Sequence, residues 1–439
     1  MSASLEKIYA AFDPAPLKKG QEDLYIDLND VRGHGSIVAR MKKKILLADK
    51  PSCQILTGHR GSGKSTELWK LRQALENPDA SAADRFFVVQ VQADDEMDRN
   101  DIDFPEVLIA IIRQIARQLR ERAQITLKPG YFSDRWQRLK ELALSEVSFD
   151  GLELEAGMAK LSATIRSSPE ARQKVRAALE PDTDNWLKAA NDIISVAVLE
   201  LSKLEFRGLV VIVDDLDKMI TRPHEKAGCS TTEYLFVHRS AQLTDFDCHL
   251  VYTLPIELAY SHHESTIKRL YGGHLPVVPM TKIRAQPPDS SDHPEGMSKF
   301  REMISVRLAR AEATEAEVFK TDAERDDLIR LTGGQPTELM TLIREAIVTD
   351  GLPIGEKGVK RGRIEAMRSY RRQLRQDHWP LIEEARRTGQ IVRSVENESA
   401  FRDLLDSRTL LLYMNDDEWY GVNPAIDGLV APQSPPAKA

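Results

Sequence analysis

Eight residues, Gly58-His59-Arg60-Gly61-Ser62-Gly63-Lys64-Ser65, fit the pattern G-x-x-x-x-G-K-[ST] and stand between an apolar run, Ser52–Thr57, and a helical pattern. A loop of this kind needs a buried strand before it and a helix after it, so it commits the chain to an α/β fold on a parallel sheet. Gly58, Gly61 and Gly63 let the backbone curl until successive N–H groups face phosphate oxygens, and the following helix adds its positive end. Lys64 is expected to reach β- and γ-phosphates, Ser65 to offer its hydroxyl oxygen to magnesium, and Thr66 to touch the α-phosphate; Arg60 and Ser62 complete the expected ligand-facing loop.

A second motif follows far downstream. "GLVVIVDDLDK" is an apolar strand that ends in Asp214-Asp215-Leu216-Asp217. A carboxylate at such a strand tip can hold the magnesium shell, and Asp214 is assigned that role. Asp215 is the expected organiser of the attacking water, although the shorter Asp must sit closer than the Glu that many ATPases place there. Asp217 is read either as a catalytic group or as a cap of the next helix. Thr253, at the tip of "CHLVYT", is a candidate sensor of the γ-phosphate or a hydroxyl capping its loop. Lys268 and Arg269 precede the last strand, where Arg269 is a candidate for stabilising transition-state charge in a neighbouring subunit; a solvated helix face is the alternative.

Around these motifs apolar strands alternate with helical patterns. Strand runs stand at "RFFVVQVQADD", Gly208–Val213, Cys248–Thr253 and Leu275–Pro279, and "FPEVLIAIIRQIARQLRER" is helical. The nucleotide domain is therefore placed at 50–285, with a charged helical insertion at about 123–205 and an N-terminal segment, 1–49, leading into it. After the Pro/Ser/Asp-rich "AQPPDSSDHPEG" a small helical lid is expected at 296–350, beginning near Met297. Residues 357–428 read as helix, helix and hairpin, the order of a winged helix, and the Pro-rich 430–439 as a disordered tail.

Composition excludes several classes. A chain of 439 residues, 41% hydrophobic and 29% charged, is long enough for about two to four domains and is not wholly disordered. It shows no leader pattern and no apolar run of membrane-spanning length, so a cytoplasmic location is expected. Cys53, Cys229 and Cys248 are too few and too irregularly spaced for a disulfide framework or a Cys-x-x-Cys site. His249, His262 and His263 near Cys248 are read as polar residues at a strand end, not as metal ligands. The net charge of −7 argues against a uniformly basic nucleic-acid binder but leaves room for a local basic patch.

The motif order "GHRGSGKST", "VVIVDDLD", "VYTLP" and "LTGGQPTEL" resembles that of STAND and AAA+ P-loop ATPases over about residues 25–350. Gly333-Gly334-Gln335-Pro336 is similar to the turn by which a STAND lid meets nucleotide, which would make Pro336 a nucleotide contact. Origin-recognition-type AAA+ ATPases usually carry an arginine just after the corresponding turn, whereas Thr337 and Glu338 follow here, which favours the STAND side. The "DDLD" run also resembles KAP-type ATPases, which commonly carry membrane-spanning insertions. The resemblance implies ATP and Mg2+ as ligands, ADP-closed and ATP-open states, homo-oligomerisation or a partner effector, and a setting in bacterial conflict or antiviral defence.

Three functions follow as expectations. The first is a nucleotide switch or motor. The second is a DNA-associated remodelling ATPase, in which the winged helix and the run from Lys357 to Arg375 neutralise phosphates; the acidic "MNDDEWYG" hairpin speaks against it. The third is a small-molecule kinase, for which no acceptor pocket or arginine cluster is legible. Trp379, Trp419 and Tyr420 could stack on bases, but their helical and hairpin positions favour a core role.

Overall fold

The computed structural model describes residues 4–33, 35–77, 84–127, 154–225 and 227–429. They divide into two compact units. The sheet unit comprises Val38–Thr57 and Glu67–Pro276; the second comprises Met1–Ile37, Gly58–Thr66 and Val277–Ala439, and so includes the phosphate loop.

In the sheet unit the strands β1 (Cys53–Gly58, whose last residue belongs to the phosphate loop), β2 (Phe86–Gln92), β3 (Gly208–Asp214) and β4 (His249–Leu254) pair in the order β2-β3-β4-β1, all parallel. β3 and β4 are buried at every residue, which is why "GLVVIVD" is a continuous apolar run rather than an alternating one: both sheet faces are covered. The register sets Gln92 opposite Asp214 and Leu56 opposite Thr253. Asp214 and Thr253 thus stand at or next to the carboxyl ends of their strands, where ligands of parallel sheets collect.

The helices of this unit include α1 (Lys64–Glu76, whose first residues belong to the loop), α2 (Phe104–Ala123), α3 (Leu154–Ser167), α4 (Pro169–Leu179) and α5 (Thr183–Ser202). α2 starts at Asp103, which with Glu106 forms a capping box ahead of Pro105, and it buries Val107, Leu108, Ile111, Ile115 and Leu119. Ser168 caps α4 and Pro169 opens it. Arg176 of α4 makes a two-pronged ion pair with Glu106 of α2, and both Arg172 and Arg176 reach Asp101. The described part of the expected insertion is helical; residues 128–153 of it lie outside the described residues.

The second unit carries β5 (Val277–Val278) and the helices α6 (Pro294–Arg310), α7 (Asp322–Leu331), α8 (Pro336–Asp350), α9 (Glu356–Arg371), α10 (Trp379–Thr388) and α11 (Glu398–Asp406). An antiparallel hairpin, β6 (Leu410–Met414) and β7 (Glu418–Val422), follows. α6 begins at Pro294 rather than near Met297, because His293 caps the backbone of Gly296 and proline is suited to a first helical turn.

The core of this unit joins Ile8, Phe12, Leu28 and Val31 from the N-terminal segment to Phe300, Ile304, Ile329, Ile343 and Ile347 of the helices. Trp379, Trp419 and Tyr420 are all buried, and Trp419 stacks on Tyr413 at 4.2 Å, so none of them is a free base-stacking surface. The expected tail, 430–439, lies outside the described residues. Among the described residues no helix is long and apolar enough to cross a membrane.

Candidate nucleotide site

The phosphate loop is built on glycine conformations that other residues rarely adopt. Gly58, Gly61 and Gly63 have φ of 145°, 81° and 102°. At Gly58 a Cβ would stand 2.4 Å from the Val278 carbonyl oxygen, so the close approach of β5 also demands glycine there. Lys64 opens α1, and its Nζ donates to the carbonyls of Gly58 and His59 at 2.7 and 2.9 Å, which holds the ammonium over its own loop. Ser62 is buried, and its Oγ has no hydrogen-bond partner among the described residues. Ser65 and Thr66 are half-buried in the first turn of α1. Arg60 pairs with Asp406 at 3.6 Å, and its carbonyl accepts from Gln335 Nε2 at 3.0 Å.

Residues that the motifs did not single out complete this loop's surroundings. Arg32, at the end of the short helix Asn29–Arg32, is only 2% exposed and donates through Nη2 to the Ser62 carbonyl. Its signal was weak: an arginine before Gly33, whose left-handed φ of 89° ends that helix. Pro336, the expected nucleotide contact, is the first residue of α8, while the contact with the loop comes from its neighbours Gln335 and Thr337; the latter would stand 3.2 Å from a Cβ on Gly61. His59, the unassigned x of the motif, is fully buried. Burial, then Lys64 and Arg408, press its pKa down to about 3.

In the sheet unit the end of β3 gathers acid. Carboxylate oxygens of Asp214, Asp215 and Asp217 lie within 4.8 Å of one another, and all three residues are buried. Asp214 Oδ1 accepts the Asp215 N–H at 2.8 Å. Asp215 adopts a left-handed φ of 68°, an uncommon conformation for a residue with a side chain and one that turns the chain sharply off the strand. Burial pushes its carboxyl above the usual range and Asp94 and Asp217 add to this, against the opposing pull of Lys218 at 2.5 Å. A carboxylate so raised is better suited to take a proton than an ordinary surface aspartate.

The reading of Asp217 as a helix cap needs correction, because it sits inside the 3₁₀ turn Leu216–Lys218, and the next helix, Thr231–Glu233, is capped by Ser230. Thr253 Oγ1 accepts the Asp217 N–H at a long 3.4 Å. Arg269 is exposed on the helix Glu264–Leu270, while Lys268 pairs with Glu264 one turn away at 2.7 Å.

Each of these groups fits its expected ligand. A cradle of glycine amides with a lysine and an unpartnered buried hydroxyl suits phosphate, and clustered carboxylates are hard oxygen donors of the kind magnesium takes. Near β4 the cysteine and histidines do not converge: His249 Nδ1 accepts the Ser52 N–H at 3.1 Å, and His263 lies against Glu233 instead.

No protein-family model matches this chain, and no curated protein does. Among solved structures it is similar to the Aeropyrum pernix ORC2 protein (ADPNP-ADP complexes), at 12% identity and a TM-score of 0.42 over 94% of this chain and 93% of that one. It is also similar to the Aeropyrum pernix ORC1 protein in complex with DNA, at 14% identity and 0.39 over 96% and 95%. A third is Cdc6p from Pyrobaculum aerophilum, at 11% and 0.38 over 94% and 93%. Likenesses of this size assign neither activity nor partner.

Proposed function

We propose that this chain binds ATP with magnesium, hydrolyses it, and uses the nucleotide state to control assembly with itself or with a partner effector. The observation that carries the reading is the phosphate loop, with its three positive-φ glycines, the restrained Lys64 and the unpartnered Ser62 hydroxyl. In this reading the amides of Gly58–Thr66 and the Lys64 ammonium hold the phosphates. Ser65 and Asp214 are assigned to magnesium, whose charge would neutralise the phosphate oxygens. Asp215 orients the attacking water and takes its proton, and Thr253, Arg269 and Pro336 keep the auxiliary roles their motifs suggest.

The division into a nucleotide domain, a helical lid and a winged-helix-like module belongs to the same proposal, as does a cytoplasmic setting. A STAND-like branch, and with it bacterial defence, rests on the motif resemblance alone. The lid is the element whose contacts could report ADP against ATP, since Gln335 at the head of α8 bonds the loop carbonyl of Arg60.

A DNA-associated remodelling ATPase is the second reading, favoured by one observation: Lys357, Lys360, Arg361, Arg363, Arg368, Arg371, Arg372 and Arg375 are all exposed on or just after α9. Steady-state ATP turnover with and without duplex DNA, with light scattering for mass, tests both. A mass change between ADP and a non-hydrolysable ATP analogue without a DNA response supports the switch. Salt-sensitive stimulation by DNA supports remodelling. No ATP binding by the purified chain overturns both.

A further inference from the structure

A cluster of one soft, one borderline and one hard donor stands apart from the nucleotide residues, in the sheet unit, on the segment that leaves the acidic end of β3. The sulfur of Cys229, a carboxylate oxygen of Glu233 and a ring nitrogen of His238 all lie within 4.8 Å of one another. Cys229 is a free, half-buried cysteine, Glu233 is half-buried and His238 is exposed, so the set faces solvent on one side.

Local structure brings these residues together. Glu233 and His238 are five apart, and on a regular α-helix such residues point about 140° away from each other. Here Tyr234–His238 forms a π-helical turn, closed by the Arg239 N–H donating to the Tyr234 carbonyl at 3.0 Å, and the widened turn carries His238 back above Glu233. Cys229 is delivered by a tight loop: the His224 N–H donates to the Cys229 carbonyl at 2.7 Å, and Pro223 bridges Ser230. Ser230 caps the helical turn that holds Glu233, which ties the loop to the π turn. His263 Nε2 lies 3.0 Å from Glu233 Oε1 without a hydrogen bond, at the border of the cluster. His224 stacks on Tyr234 at 4.0 Å, which braces the loop against the π turn.

We propose that Cys229, Glu233 and His238 form a binding site for a zinc-class divalent cation. One thiolate, one imidazole and one carboxylate make a donor set of the kind zinc prefers, and three protein ligands leave the fourth tetrahedral position to water. Zinc bonds of ~2.0–2.3 Å bring neighbouring ligand atoms to roughly 3.5 Å, so the ion draws the three side chains inward from their present span. On binding, the Cys229 S–H bond breaks, the sulfur–metal bond forms and the proton passes to solvent. The ion would staple the loop that follows the acidic strand end to the π turn, without touching Asp214 or Asp215.

The test uses the full chain, stripped with a chelator and titrated with Co2+ and then Zn2+. One cobalt ion should bind with a near-ultraviolet thiolate-to-cobalt charge-transfer band, displaced by zinc. Cys229→Ser should remove the band. His238→Ala, at an exposed position, should weaken cobalt binding at least about 10-fold, while Lys64→Ala should leave the spectrum unchanged. A cobalt complex without the thiolate band, or an undiminished band in Cys229→Ser or His238→Ala, overturns the site. Because oxygen ligands give no such band, failure here would leave the nucleotide reading standing.

Discussion

His59 Nε2, in the phosphate loop, accepts a hydrogen bond from the backbone N–H of Leu412 in β6 at 2.9 Å. Leu412 in turn gives its carbonyl to the Met280 N–H at 2.8 Å, so one strand residue ties the loop to the segment after β5. An accepting Nε2 requires a neutral imidazole with its proton on the other nitrogen. The depressed pKa of about 3 is the same fact seen electrostatically: charge on this ring would be buried beside Lys64 and would break the bond to β6.

His59 should therefore make the chain acid-sensitive. Its folded pKa lies below its unfolded value, so the unfolded state binds the proton more readily as pH falls from about 6.5 towards 3. The stabilising contribution is complete above that window and is lost within it, at up to about 1.4 kcal/mol per pH unit. His59→Gln keeps an acceptor for Leu412 but has nothing to titrate. Urea midpoints of the two proteins should converge or cross between pH 7 and pH 4; parallel curves would exclude the effect.

Lys64→Ala removes the cation that the loop carbonyls hold in place and should lower ATP affinity by at least about 100-fold, on the order of 3 kcal/mol. Asp215→Asn should instead keep nucleotide binding within a few-fold and lose hydrolysis. Equilibrium titration with a fluorescent ATP analogue, together with phosphate release, separates the two. Equal turnover by Asp215→Asn and the parent would remove Asp215 from the role of water organiser.

Gly334 has a φ of 80°, and a Cβ there would fall 1.8 Å from the Thr281 carbonyl oxygen. Gly273 has nearly the same φ, 77°, with nothing within 4 Å. Gly273→Ala should cost only the left-handed penalty of about 1 kcal/mol, whereas Gly334→Ala should add overpacking of roughly 1–3 kcal/mol. Denaturant unfolding of both variants checks the difference, and equal losses would show that the backbone at Thr281 yields freely.

Arg176→Met should destabilise the sheet unit by about 3 kcal/mol, the low end for breaking a buried ion pair, because Arg176 keeps 24% exposure while Glu106 is at 1%. Glu106→Gln, which retains an acceptor for Arg176, should cost less. Thermal unfolding would rank them, and the reverse order would mean that the pair is not what joins α4 to α2.

The phosphate loop, the acidic end of β3 and the helical character of α6 to α9 were legible because each is written in consecutive residues. Glycines report required φ values, an unbroken Val/Ile run reports a strand covered on both faces, and cap residues report helix starts. Only the capping alternative for Asp217 falls, because the three-residue turn Leu216–Lys218 has no periodicity to announce it. The helix start at Pro294 is hidden in the sequence because a proline in a linker-like stretch has the same signature whether it breaks the chain or opens a first turn.

What the amino-acid order determined by itself, then, was local: the glycine-rich loop, the strand that ends in carboxylates, and the parallel α/β class these require. Tertiary structure alone decided which distant residues attend them. Arg32 reaches Ser62, Gln335 reaches Arg60 across 275 positions and Leu412 reaches His59 across 353, and contacts of that separation leave no period in the chain. The meeting of Cys229, Glu233 and His238 likewise depends on a π turn and a backbone clamp, whose hydrogen bonds exist only once the chain around them has packed.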